Sequence, residues 1–160
     1  MKNNKLYAII VLIMTVVFFG ELYLIYRDRL DSFTCSSNIT YLYEKSNQEN
    51  EAELQSNMHF TFDNNKGENV ITGHLSVNDK DYVIDRKVLF DYTKSKINSY
   101  VLVATDILLG SKDNLPKDLA ERYLYRFSTE RHESTHLTIH YMNNGKKLFS
   151  SSTLPYFICE

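Results

Sequence analysis

Residues 132–136 read His-Glu-Ser-Thr-His, the H-E-x-x-H spacing in which two histidines four apart share a helical face to hold Zn²⁺ while the glutamate activates the metal's water. That chemistry needs a helix, and the local sequence argues against one. Ser134 and Thr135 are poor helix-interior residues. The run that follows alternates Leu137, Ile139 and Tyr141 as a strand does, which sets His132, His136 and His140 along one polar face. The longer form of the motif also fails, because Ile139 stands where its glycine belongs and Met142 where its third histidine belongs. A zinc hydrolase through His132, Glu133 and His136 is the minor reading, and surface histidines are the major one. Ser150 to Ser152 read as an ordinary strand edge, and no glycine-rich phosphate loop occurs. The expectation is a protein that is not an enzyme, with no catalytic residue, metal ligand or cofactor.

The elements that would position any site are dominated by one stretch. Leu6 to Tyr26 carries a single ionisable side chain, Glu21. As a helix it would be about 31 Å long, which matches a bilayer hydrocarbon core. The expected layout is a cytoplasmic tail over 1–5, a transmembrane helix over 6–26, a linker over 27–37 and a β domain over 38–160. Cleavage as a signal peptide is disfavoured: a cut after Gly20 would put Phe18 where a small residue is needed, and apolar residues resume at Leu22. Tyr7 near one end and Tyr23 and Tyr26 near the other fit interfacial aromatic belts. Glu21 lies within about two turns of the outer end, close enough to snorkel to water, or to meet a polar group on a partner's membrane helix.

Orientation follows from the thiols, because the flanking charges tie: Lys2 and Lys5 precede the stretch, Arg27 and Arg29 follow it. The two cysteines, Cys35 and Cys159, lie at opposite ends of the domain with no metal-ligand spacing. Such a pair reads as a disulfide joining the domain's termini in an oxidising compartment. The domain is then outside the cell's inner membrane, in the periplasm, with the N-terminus in the cytoplasm. From Asp31 to Glu160 there are 14 Lys and Arg against 18 Asp and Glu, a net charge of −4. The basic residues are scattered, so a nucleic-acid surface is not expected.

Along the domain, Asn38 to Tyr43 alternates as a strand, and Glu44 to Gln55 is polar and reads as a loop or short exposed helix. Met58, Phe60 and Phe62 alternate into Asn64-Asn65-Lys66-Gly67, a hairpin turn, and Val70 to Val77 returns. Gly73 marks a bulge or a close backbone contact. Tyr82 to Tyr92 reads as a long or kinked strand, and Tyr100 to Leu109 as one buried on both sides at its start. Pro116 opens a short helix over 117–125, with Asp113 or Asn114 available as caps and Leu119, Ala120, Tyr123 and Leu124 on one face. Strands follow over 135–142 and 147–153, and the ending LPYFICE is extended. Seven or so strands with one helix give an antiparallel β-barrel or sandwich. The 12 Tyr and 9 Phe suit a packed core better than a ligand cavity.

A short leading tail, one N-terminal membrane helix, Cys35 soon after it, a β domain of this size and the Pro-Tyr-Phe-Ile-Cys ending at 155–159 together resemble the FidL-like family of small membrane proteins. That family is similar in architecture to the ToxS-type partners of ToxR-like transmembrane transcription regulators. The resemblance implies a lipocalin-like barrel and a periplasmic co-regulator that pairs with such a regulator's outer domain. It also implies a bile-salt-like amphiphile as ligand. A stand-alone periplasmic ligand-binding or envelope protein is the alternative.

Overall fold

The computed structural model describes the backbone of 2–29, 32–44, 51–96, 98–151 and 155–160, and the side chains of these residues except 2–6, 8, 24–29, 96 and 155. The chain divides into two compact units, Met1–Phe33 and Thr34–Glu160.

The first unit is helix α1, Lys2–Arg29. Apolar side chains stand exposed along it, with Val11 62 % and Phe19 68 % accessible, and among its described side chains there is no polar face to balance them. Glu21 is exposed on the same helix. Among the residues whose side chains are described, no helix is long and apolar enough to cross a membrane. Those of α1 are Tyr7 and 9–23, and the expected belt residue Tyr26 lies outside them.

The second unit is an eight-stranded antiparallel meander: β1 Phe33–Tyr43, β2 Ala52–Asp63, β3 Lys66–Val77, β4 Lys80–Lys96, β5 Ser99–Leu109, β6 Ser134–Tyr141, β7 Lys147–Ser150 and β8 Pro155–Cys159. Its last strand returns to the first. Ser36 and Glu160 exchange both backbone hydrogen bonds at 2.8 Å, so the sheet curls into a nearly closed barrel. Beside that pair Cys35 and Cys159 form the expected disulfide, with Cα atoms 5.4 Å apart. The expected linker over 27–37 therefore holds the end of α1 and the first residues of β1, because Cys35 must sit on a strand to meet its partner.

Two hairpins turn on asparagines and aspartate in the left-handed region, Asn64–Asn65 and Asn78–Asp79, residues whose short polar side chains tolerate positive φ. The loop expected over 44–55 is shorter than the sequence suggested. Residues 45–50 lie outside the described residues, but Ala52 and Leu54 already point inward, continuing the alternation of Ser56, Met58, Phe60 and Phe62. Gly73 is a close contact and not a bulge: the β2–β3 register is unbroken, and a Cβ here would lie 2.1 Å from the Gln55 carbonyl oxygen. β4 is the long strand expected, and at Leu89/Phe90 its pairing with β5 shifts register because β5 carries the extra residue, Thr105. The strand expected over 147–153 ends at Ser150, and 152–153 lie outside the described residues.

The lower half of the barrel, where β1 begins, is filled by aromatics. Phe62, 1 % exposed, packs edge-on against Phe90 and Tyr92 at 5.3 and 5.1 Å. Rings of this size bury about 150–250 Å² each and carry the core.

Candidate functional site

The upper half is different, because α2 and the turn after it cover the barrel where β1 leaves a gap. Helix α2 spans Lys117–Tyr123, with Ala120 and Tyr123 buried, and a 3-10 turn follows at Arg126–Ser128. Asp113 and Asn114 do not cap it; Pro116 holds the N-cap position with no side-chain hydrogen bond. Both residues bond to β4 instead. Asn114 Oδ1 accepts from the Val83 N–H at 2.6 Å, Asp113 Oδ2 accepts from the Asp85 N–H at 3.0 Å, and the buried Arg86 guanidinium grips the Asp113 carboxylate. After β5 peels away, this loop takes its place along β4 and delivers α2 across the opening.

Beneath α2 lies a cleft of about 340 Å³. Tyr43 and Tyr123 frame it, rings edge-on at 5.1 Å, with the Tyr43 hydroxyl donating to the Tyr123 carbonyl at 3.0 Å. Tyr125 lies between Tyr41 and Tyr156, its ring 5.3 Å from that of Tyr156. Desolvation, then the hydrogen bond with Tyr41, push the Tyr125 phenol well above its ordinary value; desolvation also raises Tyr43. Tyr125 is nonetheless 48 % exposed overall, so the shift belongs to the surroundings of its hydroxyl and not to the whole ring. The floor is Leu54, Met58 and Ile71, with Ser56 among them. Met58 and Ile71 also wall a narrower space of about 60 Å³ that leads to Asn69 and Phe60. Ser56 Oγ and Asn69 Oδ1 are buried and, among the described residues, have no hydrogen-bond partner.

The cleft adjoins the seam between β1 and β8. Among the described residues, the backbone hydrogen bonds between these strands are the reciprocal Ser36–Glu160 pair. Beyond it the strands part, and a groove of about 630 Å³ runs from Ser37 to Tyr41 on one side and from Tyr156 to Ile158 on the other.

The histidine motif is placed elsewhere and is taken apart. His132 lies in a turn at φ 65° and is not on the strand the sequence suggested, since its N–H donates to the Ala104 carbonyl and the chain bends there to enter β6. Glu133 pairs with Arg126 at 3.0 Å. His136 and His140 are exposed on β6, opposite Val101 and Leu148. The helix that zinc-protease chemistry requires is thus a turn and a strand. Among the described residues no three His, Cys, Asp or Glu side chains are grouped to hold a metal. The cleft's polar residues went unread in the sequence, although a signal was present: Ser56 occupies an inward position of an otherwise apolar alternation.

No curated protein and no solved structure matches the chain. The family model described as FidL-like putative membrane protein matches residues 73–159, from mid-β3 through the disulfide cysteine of β8. That match spans more than half of the 160 residues, and the chain belongs to the FidL-like family.

Proposed function

We propose that this chain is a non-enzymatic co-regulator anchored in the inner membrane by α1, with the N-terminus in the cytoplasm and the barrel in the periplasm. It pairs with the outer domain of a ToxR-like transmembrane transcription regulator and tunes it, and its cleft holds a bile-salt-like amphiphile. The observation that carries this reading is the seam. Among the described residues β1 and β8 are joined by one backbone-paired position, the disulfide and the Tyr41 hydroxyl's bond to the Tyr156 carbonyl, and the adjoining strand edges border an apolar, tyrosine-framed cleft. Open strand edges are templates for pairing with another chain, so a partner strand and a ligand would meet at the same place. The exposed apolar surface of α1 supports the anchor, and Glu21 is the candidate contact with the partner's membrane helix.

Co-expression of the tagged chain with ToxR-like regulators of the same cell tests the pairing. The regulator is expected to co-purify and to be lost when β1 residues Asn38 and Thr40, whose backbone groups face the open edge on the same side as those of Ser36, are replaced by proline, which removes backbone donors. Failure to retain any such regulator sinks the co-regulator. The near-closure of the barrel within one chain favours a second reading, a stand-alone ligand-binding protein, which predicts ligand binding with no regulator present.

A further inference from the structure

We infer that the narrow end of the cleft is a subsite for an uncharged hydroxyl group, held by Asn69, on an elongated apolar molecule. This deepens the amphiphile reading above and rests on it. Asn69 is 3 % exposed and Ser56 7 %, and among the described residues Asn69 Oδ1 and Ser56 Oγ are buried without a partner. A buried polar atom left unpaired costs free energy that a matching ligand group recovers. Around Asn69 the walls are Phe60, Ile71, Phe127, Leu137 and Phe157, and no charged side chain is among the described lining residues. Arg122, an exposed residue, is at the rim of the wider chamber, and the guanidinium of Arg86 is taken by Asp113.

A carboxylate or sulfonate pushed to this end would be desolvated without a counter-charge, and it has no proton to give Asn69 Oδ1. A hydroxyl both donates to the amide oxygen and accepts from the amide NH₂. It therefore suits the side chain in either orientation of the amide. An anionic group, where the molecule has one, stays at the mouth near Arg122.

The strand register sets the length. Ser56 lies opposite Gly73, four residues from Asn69 along β3, which is about 13 Å of extended strand. A chain of roughly ten carbons spans that distance, with Ser56 beside its outer part.

The test uses the full chain in phosphatidylcholine vesicles and two photoreactive probes, 1-decanol carrying a mid-chain diazirine and the matching decanoate at alkaline pH. Labelled peptides are mapped by mass spectrometry. The alcohol is expected to label the Met58 and Ile71 peptides about tenfold more than the carboxylate, the scale of one hydrogen bond kept or lost. Asn69→Leu removes that preference, and Ser56→Ala, a milder change, reduces it. Formation of the Cys35–Cys159 disulfide reports that each variant has folded. Equal or stronger labelling by the carboxylate, or a preference that survives both substitutions as it would if water alone filled the subsite, overturns the hydroxyl subsite and leaves amphiphile binding standing. Absence of barrel labelling by either probe overturns both.

Discussion

Arg86 and Asp113 form a two-pronged ion pair inside the barrel: Nε donates to Oδ2 at 2.8 Å and Nη2 to Oδ1 at 3.1 Å, with the side chains only 5 % and 2 % exposed. The same carboxylate accepts from the Asp85 N–H, so one side chain joins a loop to a strand by charge and by backbone. Breaking such a pair from one side leaves a charge buried alone. Asp113→Ala is expected to destabilise the barrel by about 3–5 kcal/mol, whereas Arg86→Met with Asp113→Leu, which removes both charges, costs far less. Urea unfolding followed by tyrosine fluorescence measures both. A double variant as unstable as the single would show that the loop, and not the charge, is what matters.

Gly73 and Gly145 separate two reasons for glycine. A Cβ at Gly73 meets backbone, 2.1 Å from the Gln55 oxygen and 2.8 Å from the Ser56 Cα, and neither can move without parting β2 from β3. Gly145 sits at φ 80° in open space. Gly73→Ala is expected to cost about 3 kcal/mol, the upper range of overpacking. Gly145→Ala costs about 1 kcal/mol, the left-handed penalty alone. Equal losses in thermal unfolding would show that β2 and β3 can separate cheaply at this point.

These positions also mark how far the sequence can be read. The antiparallel meander was legible because alternation, asparagine turns and Gly73 are local signals, and the disulfide was legible because two cysteines leave one pairing. The far side of the cleft was not. Asp113 and Asn114 carry the letters of helix caps, and which N–H groups they reach depends on β4, about thirty residues earlier in the chain. Ala52 and Leu54 were hidden among acidic neighbours until the inward face of β2 was known. The histidine motif shows the converse: five letters match a zinc site, and a single positive φ at His132 takes it apart.

Cys35 and Cys159 close a separation of 124 residues beside the only backbone pair joining β1 to β8 among the described residues. In the chain-entropy model such a bridge contributes about 4–5 kcal/mol. The Cys35→Ser, Cys159→Ser variant is therefore expected to lose most of the barrel's margin. Before global unfolding, amides of Ser36 and Glu160 should exchange faster, while those in the twelve-rung register of β3 with β4 keep their protection. Hydrogen exchange by mass spectrometry measures the difference. A thiol-trapping assay in cells adds the compartment: both cysteines are expected to be oxidised, and reduced ones would put the barrel on the cytoplasmic side.

Tyr125 supplies a pH dependence whose sign is fixed by its surroundings. Desolvation, then the Tyr41 hydrogen bond, raise its phenol from the ordinary 10.0, and burial raises Tyr43 as well. Between the unfolded and the folded values the unfolded chain has released a proton that the folded one keeps, so stability falls with rising pH there. The contribution is fully present below about pH 10, the value in the unfolded chain, and is lost as pH rises toward the folded value. Tyr125→Phe is expected to flatten this alkaline loss, Tyr43→Phe to flatten it less, and neither to change stability's pH profile near neutrality. Unfolding midpoints across the alkaline range, beside the absorbance titration of tyrosinate, measure it. An alkaline slope that Tyr125→Phe leaves intact would mean that its hydroxyl reaches water, and that the tyrosine frame of the cleft is open at that corner.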